Sequence, residues 1–126
     1  MRKSMHRSMM EVCVKESAKA LEFYRRAFDA EVKCDYRNAD GTVAHAELDV
    51  YGQVFAIMEL PDGEAIPGNT MMFCLEFGKG REALVQQAYD TLKEGADIRD
   101  PLGPCDYSPL QFVLIDRFGV NWCVFV

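Results

Sequence analysis

Apolar residues along this chain of 126 residues follow two different spacings, which predict two amphipathic helices and several short strands. In the first half, four apolar residues recur at positions i, i+1, i+4 and i+8, the spacing of one helical face: Ala20, Leu21, Tyr24 and Phe28. Ser17 precedes them as the predicted N-cap. The elements predicted for this half are a strand over 9–14, a helix over 17–28, and strands over 31–37, 42–50 and 53–60.

The second half repeats this order of elements after a connector rich in proline and glycine, residues 61–69. Gly95 is placed where a helix C-terminal glycine belongs. The elements predicted here are a strand over 70–77, a helix over 81–94, a strand that begins at 96–100, a proline-broken loop over 101–109, and strands over 110–115 and 121–126.

Two segments in the chain nearly repeat each other: DVYGQVFAIM (49–58) and DRFGVNWCVF (116–125). Such a match indicates an internal duplication. We therefore predict a single α+β domain of two βαβββ modules, residues 9–62 and 68–126. In each module one helix covers a mostly antiparallel four-stranded sheet, and the two curved sheets pair around a central trough. A trough between modules is a usual place for a small ligand.

The composition excludes several classes of protein. Hydrophobic residues make up 49% and charged residues 27% of the chain, which is typical of a folded domain. The net charge of −6 disfavours a nucleic acid or an anionic membrane as a partner. We find no secretory signal and no apolar stretch long enough to cross a membrane. Five cysteines without a CxxC pair are typical of a reducing compartment, so we expect a cytoplasmic protein.

Four segments resemble those of a known family: SAKALEFYRRAFDAEV (17–32), VAHAEL (43–48), LKEGA (92–96) and DRFGVNW (116–122). With the paired βαβββ modules, they resemble the vicinal oxygen chelate superfamily of glyoxalase I, bleomycin- and fosfomycin-resistance proteins and extradiol dioxygenases. They are most similar to its PhnB-like branch. The resemblance covers the chain from Met9 onward and implies the glyoxalase/bleomycin-resistance/dioxygenase fold. It implies less about chemistry, because one fold hosts many functions.

The resemblance also implies where a metal would bind. Metal-dependent members hold it with the first and last strands of each module. The corresponding positions here are Met9, Ala56, Met71 (or its neighbour Met72) and Cys123. Two methionines, an alanine and a thiol do not suit a hard divalent ion, so we expect no metal at the usual site. A metal at a non-standard site stays possible. Glu59 is interpreted as a rim or surface carboxylate, because strand parity turns it away from Ala56.

His45 and Glu47 are predicted to point into the trough, because they share one face of their strand while small apolar residues share the other. His45 is therefore the candidate catalytic residue and, with Glu47, a candidate substrate-binding residue. The imidazole would contact ligand or transfer protons. The alternative is a structural histidine that makes only a hydrogen bond to a neighbour.

Tyr107 and Cys123 complete the predicted substrate-binding set. Tyr107 lies in the loop over 101–109, and loops on a rigid scaffold often carry binding residues. Cys123 has apolar sequence neighbours, which raise the pKa of a thiol and favour a buried, unreactive side chain.

Three functions are consistent with these residues. The first is a protein that binds a small organic molecule in the trough without the usual metal. The second is an enzyme of lyase, isomerase or dioxygenase type that uses a metal or His45. The third is a scaffold whose trough is filled by its own side chains. We also expect a homodimer, because residues 121–126 contain no charge or proline and the first strand is apolar on both faces.

Overall fold

A computed structural model describes residues 3–126 and contains two four-stranded sheets and two helices. The elements in chain order are β1 (Met10–Val14), α1 (Ser17–Ala27), β2 (Glu31–Arg37), β3 (Val43–Val50), β4 (Gln53–Glu59), β5 (Phe73–Glu76), α2 (Glu82–Leu92), β6 (Asp97–Cys105), β7 (Ser108–Ile115) and β8 (Asn121–Phe125). No helix within residues 3–126 is long and apolar enough to cross a membrane.

The two sheets have the same topology. Their strand orders are β1-β4-β3-β2 and β5-β8-β7-β6. The pairs β1–β4 and β5–β8 are parallel, and the other pairs are antiparallel. Each sheet is thus a mixed sheet that carries one helix, and the predicted fold of paired βαβββ modules is confirmed.

One hydrophobic core joins the modules beneath the two helices, which contact each other. Its centre is a cluster of aromatic rings contributed by both sheets. Phe55 of β4 packs edge-on against Trp122 of β8, with ring centroids 5.4 Å apart, and against Phe73 of β5 at 5.9 Å. Such pairs contribute about 0.5–1.5 kcal/mol beyond the area they bury. The side chains on the helix-covered faces of both sheets are therefore buried in this core.

The duplicated Asp–x–x–Gly segments are the turns before the last strand of each module. Asp49 accepts a hydrogen bond from the backbone N–H of Gly52 at 2.8 Å. Asp116 likewise accepts from the N–H groups of Phe118 and Val120 at 2.8 and 3.1 Å. Gly52 has a φ of 91° and its counterpart Gly119 one of 89°, a region that L side chains rarely adopt. The repeated sequence therefore encodes a repeated turn.

The start of α1 differs from the prediction. Glu16 is the N-cap, and Ser17 is the first helical residue. The backbone N–H and hydroxyl of Ser17 both donate to the carboxylate of Glu59, at 3.1 and 2.7 Å. Glu59 is therefore a capping residue supplied by β4, and its interpretation as a rim or surface carboxylate is wrong. A residue 42 positions away can satisfy a helix terminus only in the folded chain.

The prediction of a proline-broken loop over residues 101–109 is also wrong. The segment is a β-hairpin whose two-residue turn is Asp106–Tyr107. Pro101 and Pro104 lie within β6, the edge strand of its sheet. An edge strand needs hydrogen bonds on one side only, so a residue without an N–H is tolerated there. The β6–β7 register is irregular over this stretch.

Candidate functional site

The two faces of β3 differ in burial. Ala46 and Leu48 are fully buried in the core, whereas His45 and Glu47 are partly buried on the opposite face, which neither α1 nor α2 covers. The alternation of the sequence produces this division, because successive side chains of a strand point to opposite faces.

His45 lies between two carboxylates. Its Nε2 atom is 2.8 Å from Glu47 and its Nδ1 atom is 3.3 Å from Glu11 of β1. Glu11 and Glu47 lie on opposite sides of β4, and both pair with Ala56. Because the side chain of Ala56 is a single methyl group, the longer side chains of Glu11 and His45 can approach each other across it. Ala56, which the sequence resemblance aligns with a metal-ligand position, thus makes room for this contact.

Arg7 completes the charge pattern around Glu47. Its guanidinium donates two hydrogen bonds to the two carboxylate oxygens, at 3.0 and 3.1 Å. These bonds, with the additional bond from His45, lower the pKa of Glu47 to about 2. Glu47 is therefore ionised at neutral pH and acts only as an acceptor.

Cys34 of β2 lies directly opposite Glu47 of β3. Its Sγ atom, a ring nitrogen of His45 and a carboxylate oxygen of Glu47 all lie within 4.8 Å of one another. This is the one group of three or more potential metal ligands within the described part of the chain. We define the His45 cluster as Arg7, Glu11, Cys34, His45 and Glu47.

The residues at the usual metal positions do not form such a group. Ala56 is fully buried and has no donor atom, and Cys123 is buried on the other sheet. Met9 lies just before β1, and Met71 lies in the connector with 77% of its surface exposed. A thioether, a methyl group and a lone thiol are unsuited to a hard divalent ion. The residues present therefore do not fit the metal that this fold commonly holds.

Tyr107 and Cys123 form a second group, on the sheet of β5 to β8. The Tyr107 hydroxyl is 3.7 Å from the Cys123 Sγ, and the Tyr107 ring packs edge-on against Phe125 at 5.2 Å. Burial raises the pKa of Cys123, and the hydrogen bond with Cys123 raises the pKa of Tyr107. Both groups are therefore neutral near pH 7, which makes Cys123 a poor nucleophile.

The four predicted site residues thus occupy two separate groups. Within residues 3–126, no hydrogen bond or ion pair joins the His45 cluster to Tyr107 or Cys123. A cavity of about 490 Å³ lies instead at the module junction, where Met71, Met72, Phe73 and other apolar residues line it. None of the four predicted residues lines this cavity.

Residues 6–124 match the family described as the Glyoxalase/Bleomycin resistance protein/Dioxygenase superfamily, and the chain belongs to this superfamily. No curated protein sequence matches it.

Solved structures show the same fold at low sequence identity. The PhnB protein from Bacillus cereus is 22% identical with a TM-score of 0.77, over 95% of this chain and 98% of that chain. Protein PA1353 from Pseudomonas aeruginosa is 19% identical with a TM-score of 0.78, over 96% and 97%. A mutant of the fosfomycin resistance protein FosX from Listeria monocytogenes, complexed with Mn(II) and dihydroxypropylphosphonic acid, is 16% identical with a TM-score of 0.66, over 99% and 93%.

Proposed function

We propose that this chain binds a small organic molecule on the uncovered sheet face that carries His45, without a metal at the positions its superfamily commonly uses. The chemistry of Met9, Ala56, Met71 and Cys123 carries this proposal. These side chains cannot replace the carboxylate and imidazole ligands that a hard divalent ion requires. The solved structure of the FosX mutant contains Mn(II), so the proposal gives the same fold a different chemistry in this chain.

The His45 cluster supports the proposal, because its polar groups are held in place and only partly buried. The side chain of His45 is 34% exposed and that of Glu11 is 37% exposed. A ligand can reach both, while Glu47 and its partners fix the imidazole. Two carboxylates and an imidazole favour a ligand that offers hydrogen-bond donors or a positive charge.

We further propose that a homodimer forms at the module junction. Three large apolar side chains that line the cavity at this junction are exposed, at 90%, 77% and 45% of their surface: Ile66, Met71 and Met72. Exposed apolar residues close together favour an interface. A second copy would also explain the two separate groups, because the His45 cluster of one chain could face Tyr107 and Cys123 of the other across one trough.

A second candidate function is acid–base catalysis by His45. The observation in its favour is the 2.8 Å contact of Nε2 with Glu47, because a carboxylate that holds an imidazole in one orientation is typical of a general base. Both functions use the same sheet face to bind the ligand, but only the second converts the ligand chemically.

The test is a thermal-shift screen of small metabolites followed by calorimetric titration of each hit. We expect at least one ligand to bind the wild type and to lose about tenfold or more of its affinity in His45→Ala. Arg37→Ala is the matched control, because Arg37 pairs with Asp35 outside the His45 cluster. Hits that bind His45→Ala as tightly as the wild type would reject this face as the binding site.

A further inference from the structure

The three metal-ligating groups of the His45 cluster form a chemically coherent set. Cys34 offers a thiolate, His45 an imidazole and Glu47 a carboxylate, the three ligand types that proteins use for zinc. Their atoms already lie within 4.8 Å of one another. Neighbouring ligand atoms around tetrahedral zinc are about 3.3–3.8 Å apart, so small side-chain rotations suffice.

A β-bulge brings Cys34 to this face. Val32 pairs with Leu48, whose side chain lies in the buried core. In a regular antiparallel ladder, the residue two positions after Val32 would pair with Ala46 and share that face. The extra residue Lys33 shifts the register, so that Cys34 pairs with Glu47 instead. Bulges commonly reorient side chains next to functional sites.

Glu11 supplies the outer contact that a zinc-binding histidine usually makes. The Nδ1 atom of His45 is 3.3 Å from Glu11, whereas Nε2 faces Glu47. Histidines that bind metal through one nitrogen commonly donate the other N–H to a carboxylate, which fixes the ring. Nε2 of His45 is therefore directed at the ion position.

Arg7 is the positive charge that now neutralises Glu47. It belongs to the exposed segment before β1, outside any helix or strand. A divalent cation bound to Glu47 must displace the guanidinium, so Arg7 and the ion compete for the same carboxylate.

We infer that Cys34, His45 and Glu47 form a site for a zinc-class divalent cation, with Glu11 orienting His45 and Arg7 occupying Glu47 when the ion is absent. The site has three protein ligands and leaves a fourth position open, as catalytic zinc sites do. It lies away from the usual positions of the superfamily.

Cobalt(II) added to reduced, chelator-treated protein is the probe, because a cobalt–thiolate bond gives a charge-transfer absorption band. We expect this band to saturate at one equivalent and to disappear on addition of zinc. Cys34→Ser should abolish the band, and Cys123→Ser should retain it. Glu11→Gln should weaken binding about tenfold, the usual effect of losing an outer partner.

The Arg7→Ala variant distinguishes a metal site from a cluster that only stabilises the fold. Removing the competing guanidinium should tighten cobalt binding several-fold, whereas Arg37→Ala, which also removes one exposed arginine, should change it less than twofold. The inference is overturned if the wild type gives no band, if the band survives in Cys34→Ser, or if Arg7→Ala weakens binding. The calorimetric titrations with metabolites are a separate experiment, so the proposed ligand binding and the inferred metal binding can be rejected independently of each other.

Discussion

The hydroxyl of Tyr24, in the first module, donates a 2.5 Å hydrogen bond to the carboxylate of Asp116, 92 residues later in the second. The indole N–H of Trp122 donates to the same carboxylate oxygen at 2.9 Å. Asp116 is only 4% exposed, and burial raises its pKa and that of Tyr24. This buried contact fixes one module against the other and thereby sets where the two uncovered sheet faces lie.

Tyr24→Phe is expected to lower the free energy of unfolding by about 1–3 kcal/mol, because it removes one partner of a buried hydrogen bond. Urea denaturation at pH 7 measures the change. Tyr51→Phe is the control, since Tyr51 is 43% exposed and should change stability by less than about 0.5 kcal/mol. Equal effects of the two substitutions would contradict a role for Asp116 in joining the modules.

Glu59→Gln is expected to lower the free energy of unfolding by about 1 kcal/mol, because the carboxylate caps the first turn of α1 through Ser17. The matched control is Glu64→Gln, an exposed residue of the connector. Circular dichroism during urea denaturation gives both values. An unchanged midpoint for Glu59→Gln would show that the helix start does not depend on β4.

The acid side of the stability profile should depend on Glu47. Its pKa is near 4.5 in the unfolded chain and about 2 in the folded protein, because Arg7 and His45 donate to it. A lowered pKa contributes stability that is complete above about pH 4.5 and is lost as the pH falls towards 2. The stability advantage of the wild type over Glu47→Gln should therefore shrink between pH 6 and pH 3.

Arg7→Ala supplies the check on that explanation. Without the guanidinium, the loss of stability in acid should still begin near pH 4.5, but it should end at a higher pH and be smaller in total, because the folded pKa of Glu47 is lowered less. A difference between wild type and Glu47→Gln that does not change with pH would contradict the assigned ion pair.

The proposed dimer makes a separate prediction. Sedimentation at micromolar concentration should give a species of twice the chain mass of 14.3 kDa. Met71→Glu places a charge in the exposed apolar region of the junction and should shift the protein towards monomer. Glu22→Gln, at an exposed position of α1, should leave the assembly unchanged. A wild type that sediments at 14.3 kDa would reject the dimer.

The predictable part of the fold follows from short-range patterns. Alternation along β3 is a property of the local sequence, so the face of His45 could be predicted before its neighbours were known. The duplicated aspartate and glycine pairs likewise encode a local turn, and their repetition revealed the two modules. The ligand-binding role of His45, Glu47, Tyr107 and Cys123 stays a prediction.

The rest depends on contacts between distant strands. Alternation along β1 predicts that Glu11 points away from the core, as His45 does. The contact between Glu11 and His45 could not be predicted, because it depends on the strand order β1-β4-β3 and on the small side chain of Ala56. Cys34 faces Glu47 only because of the β-bulge at Lys33, and no glycine or other turn residue in the sequence indicates this bulge. The hairpin at Pro101 was missed because its edge position, which tolerates proline, is set by the whole sheet.

Elemental analysis of protein purified without a chelator tests the central claim most directly, that this chain does not use the metal positions common in its superfamily. We predict no stoichiometric manganese, nickel or iron in the wild type, and we predict that any bound zinc is lost in Cys34→Ser and kept in Cys123→Ser. A stoichiometric metal that persists in Cys34→Ser and is lost in Cys123→Ser would contradict the account, because it would place the ion at the usual position after all.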